Sequence, residues 1–354
     1  MTKRLYQRRS NRLITVAVCL FGLLVGPLRA TTPPLPGHSI AHSAEPYFGV
    51  GPWQWEEVEG AICANGSPTG FAIQEAVASR QLVIFLQGGG ACWDAQTCYT
   101  KPIAIQIESG VDGTQLTKRL RTQPPPFFDR RYAHNPFRHA TQVFIPYCTG
   151  DAYQGNAVQV YQGRVTHHVG FKNMSLILRE LKSRFSDVDN VIMMGSSAGG
   201  YGAVYNWGQA QDAFTPIHVN IINDSGSHFP NPWLEERREQ KWRKAWGLSE
   251  TLPEDCLDCR DNFDAIVTHQ AQRYPQSRGM ILTYQTDFVL ADYYHIPYGD
   301  VGDALKDLLR QRWGAEPNLR TLVIEGEGHI LLSRPLTQSN GETLFERLGD
   351  FLWN

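Results

Sequence analysis

Nowhere does the 354-residue sequence hold an unbroken apolar run of the roughly 18 residues that a membrane span takes. It also lacks a basic excess: 33 lysines and arginines stand against 35 aspartates and glutamates. Phosphate-backbone binding depends on such an excess, so nucleic acid is not an expected partner. There is no internal repeat at solenoid periods and no long low-complexity tract. The single C-x-x-C, at Cys256 and Cys259, falls short of a four-thiolate zinc site, which needs a second. His167 and His168 are adjacent and in a strand would face opposite ways, so they make no ligand pair. No metal and no organic cofactor is expected. What is present is 42% hydrophobic and 11% aromatic residues, enough for a substantial core, which excludes a wholly disordered or fibrous chain. The length equals roughly two average domains, or one large α/β domain.

Charge is unevenly spread. Residues 1–30 carry six basic residues and no acidic one, and the remainder holds 27 basic against 35 acidic, a net of −8. A basic stretch ending at Arg12, an apolar run from Leu13 to about Val25 and Leu28-Arg29-Ala30 read as a secretory signal with its cleavage site. Retention as a membrane anchor is the alternative; after cleavage no stable membrane insertion is expected. The flanks of Arg8-Arg9 fit a twin-arginine signal poorly, and bulky Val18 argues against lipidation of Cys19. The protein is therefore expected to be secreted or periplasmic. Six cysteines remain beyond the signal, and an even count in that setting favours disulfides. Cys92 with Cys98 and Cys256 with Cys259 are close enough to pair locally, which would leave Cys63 for Cys148; fifteen connectivities are formally open. Acidic neighbours (Glu254, Asp255, Asp258) argue that the C-x-x-C is structural rather than redox-active or metal-binding.

Residues 31–45 form a lead-in, and residues 46–354 read as one catalytic domain. Leu82–Leu86, Gln142–Ile145, Val191–Met194, Ile217–Ile222, Gly279–Gln285 and Leu319–Glu325 have strand character. Between them, Gly170–Phe185, the stretch after Gly200 through Trp207, and residues 301–313 and 342–353 have helical character. This alternation predicts an α/β, doubly wound and mostly parallel sheet. Residues 228–278, charged and studded with tryptophan, break the rhythm and read as a helical cap insertion.

Gly195-x-Ser197-x-Gly199 follows an apolar strand and precedes a helix, the context in which a tight turn lifts a serine clear of the sheet. A serine needs a base and a preorganised site for the oxyanion it generates. Gly88-Gly89-Gly90, after an early strand, offers backbone amides for that site, joined by the amide of Ala198. In the chain order Ser…Asp…His, Asp287 just past a strand and His329 in Gly326-Glu327-Gly328-His329 are the expected acid and base. Asp224 is the alternative acid, with a structural part in the Asp224-Ser225-Gly226 turn as its first reading. His269 and His295 are further histidine candidates, His295 read as a wall residue.

Leu86-Gln87-Gly88-Gly89-Gly90-Ala91-Cys92-Trp93, Ile145-Pro146-Tyr147-Cys148-Thr149-Gly150-Asp151, Gly195–Gly200 and Asp224-Ser225-Gly226 resemble the pectin acetylesterase/Notum family of secreted α/β-hydrolase-like carboxylesterases. The resemblance runs from about Cys63 to His329. It implies Ser197 as nucleophile, Asp287 as acid, His329 as base, an oxyanion hole of the Gly89, Gly90 and Ala198 amides, and a Cys92–Cys98 bridge. Gln87 departs from the Leu-Glu-Gly-Gly common in plant and animal members, and Gly90-Ala91 stands where they carry a bulky aromatic. The family holds both sugar O-acetyl esterases and an enzyme removing a fatty acyl group from a signalling protein.

The expected function is hydrolysis of O-acyl esters, short-chain O-acetyl foremost, through an acyl-serine intermediate, on a small molecule or polysaccharide. A longer-chain lipid or protein deacylase, and a catalytically inactive binding module on a hydrolase scaffold, are the alternatives. Trp93, Tyr153, Tyr201 and Asp224 are candidate substrate-lining residues; Trp53 and Trp55 are further aromatics that can stack on sugar rings or pack in the core. A histidine base predicts that activity falls below a pH of roughly 6.5.

Overall fold

The computed structural model describes residues 49–334, 336–337 and 341–353. The expected signal segment and the whole of the lead-in lie outside the described residues.

Eight strands form one sheet. They are β1 (Gln54–Ile62), β2 (Pro68–Gln74), β3 (Gln81–Leu86), β4 (Thr141–Ile145), β7 (Asn190–Ser196), β8 (Val219–Asp224), β9 (Gly279–Thr286) and β10 (Leu319–Glu327), in the order β1-β2-β4-β3-β7-β8-β9-β10. From β4 to β10 all neighbours are parallel; β1 and β2 add an antiparallel edge. A separate hairpin pairs β5 (Ala157–Tyr161) with β6 (Arg164–His168). The α/β, mostly parallel architecture is the expected one. The hairpin and the antiparallel edge are additions to it.

The sheet is apolar on both faces because helices cover both. Along β7, Val191 and Met193 join one core cluster while Ile192 and Met194 join the other. Each such side chain, fully withdrawn from water, contributes about 1.5–3 kcal/mol. Helices Gly170–Arg184, Ala198–Tyr205 and Trp207–Phe214 cover the first face, and Gly113–Thr122 and Leu344–Trp353 the second. The expected single helix through Trp207 is broken at Asn206, whose side-chain amide donates to the carbonyls of Tyr153 and Gly202.

Residues 228–278 carry helices Glu236–Trp246 and Ile266–Arg273. Trp242, Trp246 and Phe263 of this segment are buried in the same cluster as Ile84, Val191 and Ile221 of the sheet. The insertion therefore shares the main core. Three disulfides form: Cys63–Cys148, Cys92–Cys98 and Cys256–Cys259.

Asp151 holds the chain beyond β4 against the start of helix Gly170–Arg184. Its buried carboxylate accepts hydrogen bonds from Thr149 Oγ1 (2.6 Å) and from the amides of Tyr153 (3.0 Å), Gly155 (3.2 Å) and Gly170 (2.7 Å). Removing the carboxylate would strand four donors away from water. Asp151→Ala is expected to lower unfolding stability by about 3 kcal/mol or more, read from the urea midpoint. A loss under about 1 kcal/mol would show that these donors find other acceptors.

Candidate active site

β7 ends one residue before Ser197, and helix Ala198–Tyr205 begins one residue after it. To make that turn Ser197 adopts φ 54° and ψ −121°, a strained conformation for a side chain with a Cβ. The turn closes only because glycines flank it. A Cβ on Gly199 would lie 2.0 Å from the Leu86 carbonyl oxygen, and one on Gly195 would lie 2.2 Å from that of Gly199. The Ser197 amide donates to the Asp224 carbonyl on β8 at 2.7 Å, fixing the turn to the neighbouring strand.

β3 lies beside β7, so the glycine loop leaves the sheet next to this turn. Gly90 has φ +73°, and a Cβ there would lie 1.8 Å from the Ile103 carbonyl oxygen. The loop is braced from several sides. Ile105 N donates to Gly89 O (2.9 Å), Cys92 N to Gly150 O (2.7 Å), Tyr293 Oη to Ala91 O (2.8 Å) and Trp246 Nε1 to Cys92 O (2.8 Å). The Cys92–Cys98 bridge closes the segment that follows. Gln87 uses its side-chain oxygen to accept from the Tyr147 amide at 3.1 Å. The amides of Gly89, Gly90 and Ala198 donate to no group among the described residues, so they are available to an oxyanion.

Asp287 follows β9 and caps helix Phe288–Tyr294, accepting from the amides of Val289 (3.1 Å) and Leu290 (3.0 Å). The same carboxylate lies 3.0 and 2.8 Å from His329 Nδ1, just past β10. A carboxylate only accepts, so Nδ1 carries a proton, and in the neutral ring this leaves the lone pair on Nε2. Neither His329 Nε2 nor Ser197 Oγ makes a hydrogen bond among the described residues. Unliganded sites often hold this pair apart until substrate arrives. Asp287 is buried, and His329 is half-buried.

Two other histidines considered from the sequence lie elsewhere. His295 meets Arg238 through Nδ1, and His269 pairs with Asp255. Among the described residues, one group of three metal-ligand side chains gathers, Cys92, Cys98 and His168, and both of its sulfurs are committed to a disulfide.

The lining expectations need correction. Asp224 has no exposed surface: its carboxylate accepts from Ser196 Oγ (2.8 Å), Leu331 N (2.7 Å) and Leu332 N (3.0 Å) and makes no bond to His329. Burial pushes its carboxyl up to about 6, against the hydrogen bonds it accepts. Tyr153 is buried too, its hydroxyl donating to Gln87 O and Ile145 O. Tyr201 is turned inward onto the Tyr294 hydroxyl (2.9 Å) and the His228 ring. Trp93 remains half-buried, edge-on to Tyr293. Trp53 packs on Phe128, and Trp55 lies over Gly113. The residue missed is Tyr293, which braces the glycine loop and carries no local motif that marks it. Ser225, in the Asp224-Ser225-Gly226 turn, accepts from Ile330 N at 3.2 Å through its hydroxyl.

A family model described as Pectinacetylesterase matches residues 53–296. Among curated proteins, the palmitoleoyl-protein carboxylesterase notum2 of Xenopus laevis is 29% identical over 204 residues, 55% of this chain and 37% of that protein. The palmitoleoyl-protein carboxylesterase NOTUM of Homo sapiens is 28% identical over 180 residues, 48% of this chain and 34% of that protein. The chain thus spans little more than a third of the length of these relatives. A crystal structure of the Wnt deacylase Notum from Drosophila shares the fold, with a TM-score of 0.65 at 18% identity, covering 85% of this chain and 93% of that one. The chain belongs to the pectinacetylesterase family.

The buried Asp224 carboxyl makes stability depend on pH with a defined sign. Its ordinary value is 3.8 and its folded value is about 6, so between these the folded protein binds the proton more tightly than the unfolded chain. That contribution is full below pH 3.8 and is lost as pH rises through about 6. The stability of the wild type relative to Asp224→Asn should therefore fall by up to about 3 kcal/mol across that window. Urea unfolding of both proteins at several pH values checks this; a flat difference would refute it.

Proposed function

We propose that this member of the pectinacetylesterase family is a serine esterase that hydrolyses O-acyl esters through an acyl-serine intermediate. The observation that carries the reading is the His329–Asp287 pair at 2.8 Å, at the same strand ends as a strained Ser197 turn and three undonated amides. His329 Nε2 takes the Ser197 proton as Oγ attacks the acyl carbonyl. The amides of Gly89, Gly90 and Ala198 receive the oxyanion. The C–O bond to the alcohol then breaks, and the alcohol leaves with the proton from His329. Water attacks the acyl-serine by the same route and frees the acid, returning the proton to Ser197.

The acyl group we assign is short, acetyl foremost. The space between helix Ala198–Tyr205 and helix Glu236–Trp246 is filled with rings: Tyr201 on His228, His228 on Phe263 at 3.9 Å, and Trp242 on Trp246, Tyr293 and Tyr294. The cavity beside these rings, lined by Tyr201, His228 and Trp313, holds about 10 Å³. Ligand pockets for large groups run to about 300 Å³ or more. The names of the relatives support the longer-chain reading, a deacylase acting on a lipidated protein. The packed rings favour the shorter one. A carbohydrate or small glycoside is the proposed acyl carrier. Three disulfides suit an oxidising compartment, so a secreted or periplasmic site is proposed. No helix of the described residues is long and apolar enough to cross a membrane.

Hydrolysis of p-nitrophenyl acetate and octanoate by the disulfide-intact protein tests this reading. Ser197→Ala and His329→Ala are each expected to lower kcat at least about 10³-fold, and wild-type kcat/KM should favour acetate. Equal rates for wild type and Ser197→Ala would overturn the esterase, and preference for octanoate would overturn the short acyl group alone.

A further inference from the structure

Asp224 stands where the serine turn and the histidine loop meet, 107 and 108 residues from the loop amides it binds. Its carbonyl oxygen accepts from the Ser197 amide at 2.7 Å. Its carboxylate accepts from Leu331 N with one oxygen at 2.7 Å and from Leu332 N with the other at 3.0 Å. A third bond comes from Ser196 Oγ at 2.8 Å. The next residue repeats the link, because Ser225 Oγ accepts from Ile330 N at 3.2 Å. Three consecutive amides directly after His329 are thus tied to the end of β8. The same residue of β8 also holds the nucleophile, in register with Ser196.

β10 alone would not do this. It lies two strands from β8 with β9 between them, and His329 is already beyond its end. Asp287 fixes the tautomer and tilt of the imidazole through Nδ1 but has no bond to the serine turn. Without a second tie, the loop bearing His329 would move on its own relative to Ser197. We propose that Asp224 is a positioning residue for the esterase reaction, clamping the His329 loop to the Ser197 turn so that Nε2 and Oγ approach in one geometry. This rests on the serine-esterase reading. The carboxylate is aimed at amide donors and is sealed from solvent, so it touches neither substrate nor the reacting atoms.

Such a residue acts on the chemical step. Displacing a general base by about 1 Å can cost about 10²-fold in rate while leaving ground-state binding alone. A merely structural buried carboxylate would instead lower the folded fraction and leave each folded molecule equally fast. Asp151, which also holds four donors at no exposed surface, is the matched control, since none of its bonds reaches the His329 loop.

The experiment measures kcat and KM for p-nitrophenyl acetate with Asp224→Asn, Asp224→Ala and Asp151→Asn. Rates are normalised to sites titrated with a fluorophosphonate, at a temperature where each variant is folded. Asp224→Asn retains one acceptor oxygen, so kcat per titrated site is expected to fall about 10-fold, and about 10²-fold in Asp224→Ala. KM should change less than about 3-fold in both, and Asp151→Asn should lose stability while keeping kcat within about 3-fold. Wild-type rates in both Asp224 variants, or an equal loss in Asp151→Asn, would overturn the positioning role and leave the esterase standing. Wild-type turnover that survives Ser197→Ala would instead overturn the esterase reading and this inference with it.

Discussion

The site depends on a close approach of backbone to backbone, the start of helix Ala198–Tyr205 against the end of β3. Gly199 meets the Leu86 carbonyl so tightly that one methyl group would have to lie 2.0 Å from its oxygen. That contact sets the distance between two chain segments a hundred residues apart, the glycine loop and the serine turn. Because it is made by main chain, it places main-chain donors: the Ala198 amide and those of Gly89 and Gly90 come to one end of the sheet. The strand order β3-β7-β8-β9-β10 then brings the remaining groups to the same edge in sequence. Loops after neighbouring parallel strands emerge on one side, which is where sheets of this kind carry their chemistry.

The parallel core was legible because its strands are buried on both faces and read as unbroken β-branched and apolar runs, Leu82–Leu86 and Val191–Met194 among them. The strands that escaped notice do not read that way. β1 runs Gln-Trp-Glu-Glu-Val-Glu, with several of its side chains open to solvent, and β5 leaves Val158 and Val160 exposed. Edge and hairpin strands are specified by pairing more than by burial, and pairing partners are invisible in a single segment.

At the site, the glycine and serine motifs were legible because local backbone geometry demands particular residues there. The pairing of Asp287 with His329 followed from chain order. What could not be read was direction. Tyr153, Tyr201 and Asp224 sit among polar, glycine-rich residues and look like wall residues, yet all three turn inward to hydrogen-bonding partners supplied from far along the chain. The tryptophans of residues 228–278 posed the same question in reverse. They read as a cap insertion within the one domain, and their rings extend the main core up to the glycine loop, where Trp246 bonds the Cys92 carbonyl.

The Cys63–Cys148 bridge closes a ring of chain that contains the whole glycine loop, the smaller Cys92–Cys98 ring, β2, β3 and β4. Within it, the turn around Tyr132–Asn135 is open to solvent except at the buried Asn135. A protease cutting that turn would sever the polypeptide without releasing a fragment. The two pieces would stay joined through sulfur and through the paired strands, and the donors of the glycine loop would keep their places. The lesion would show as a second band only after reduction. For this fold, then, an unbroken chain and an intact site are separate properties, and sulfur rather than peptide continuity is what keeps the glycine loop attached to the rest of the molecule.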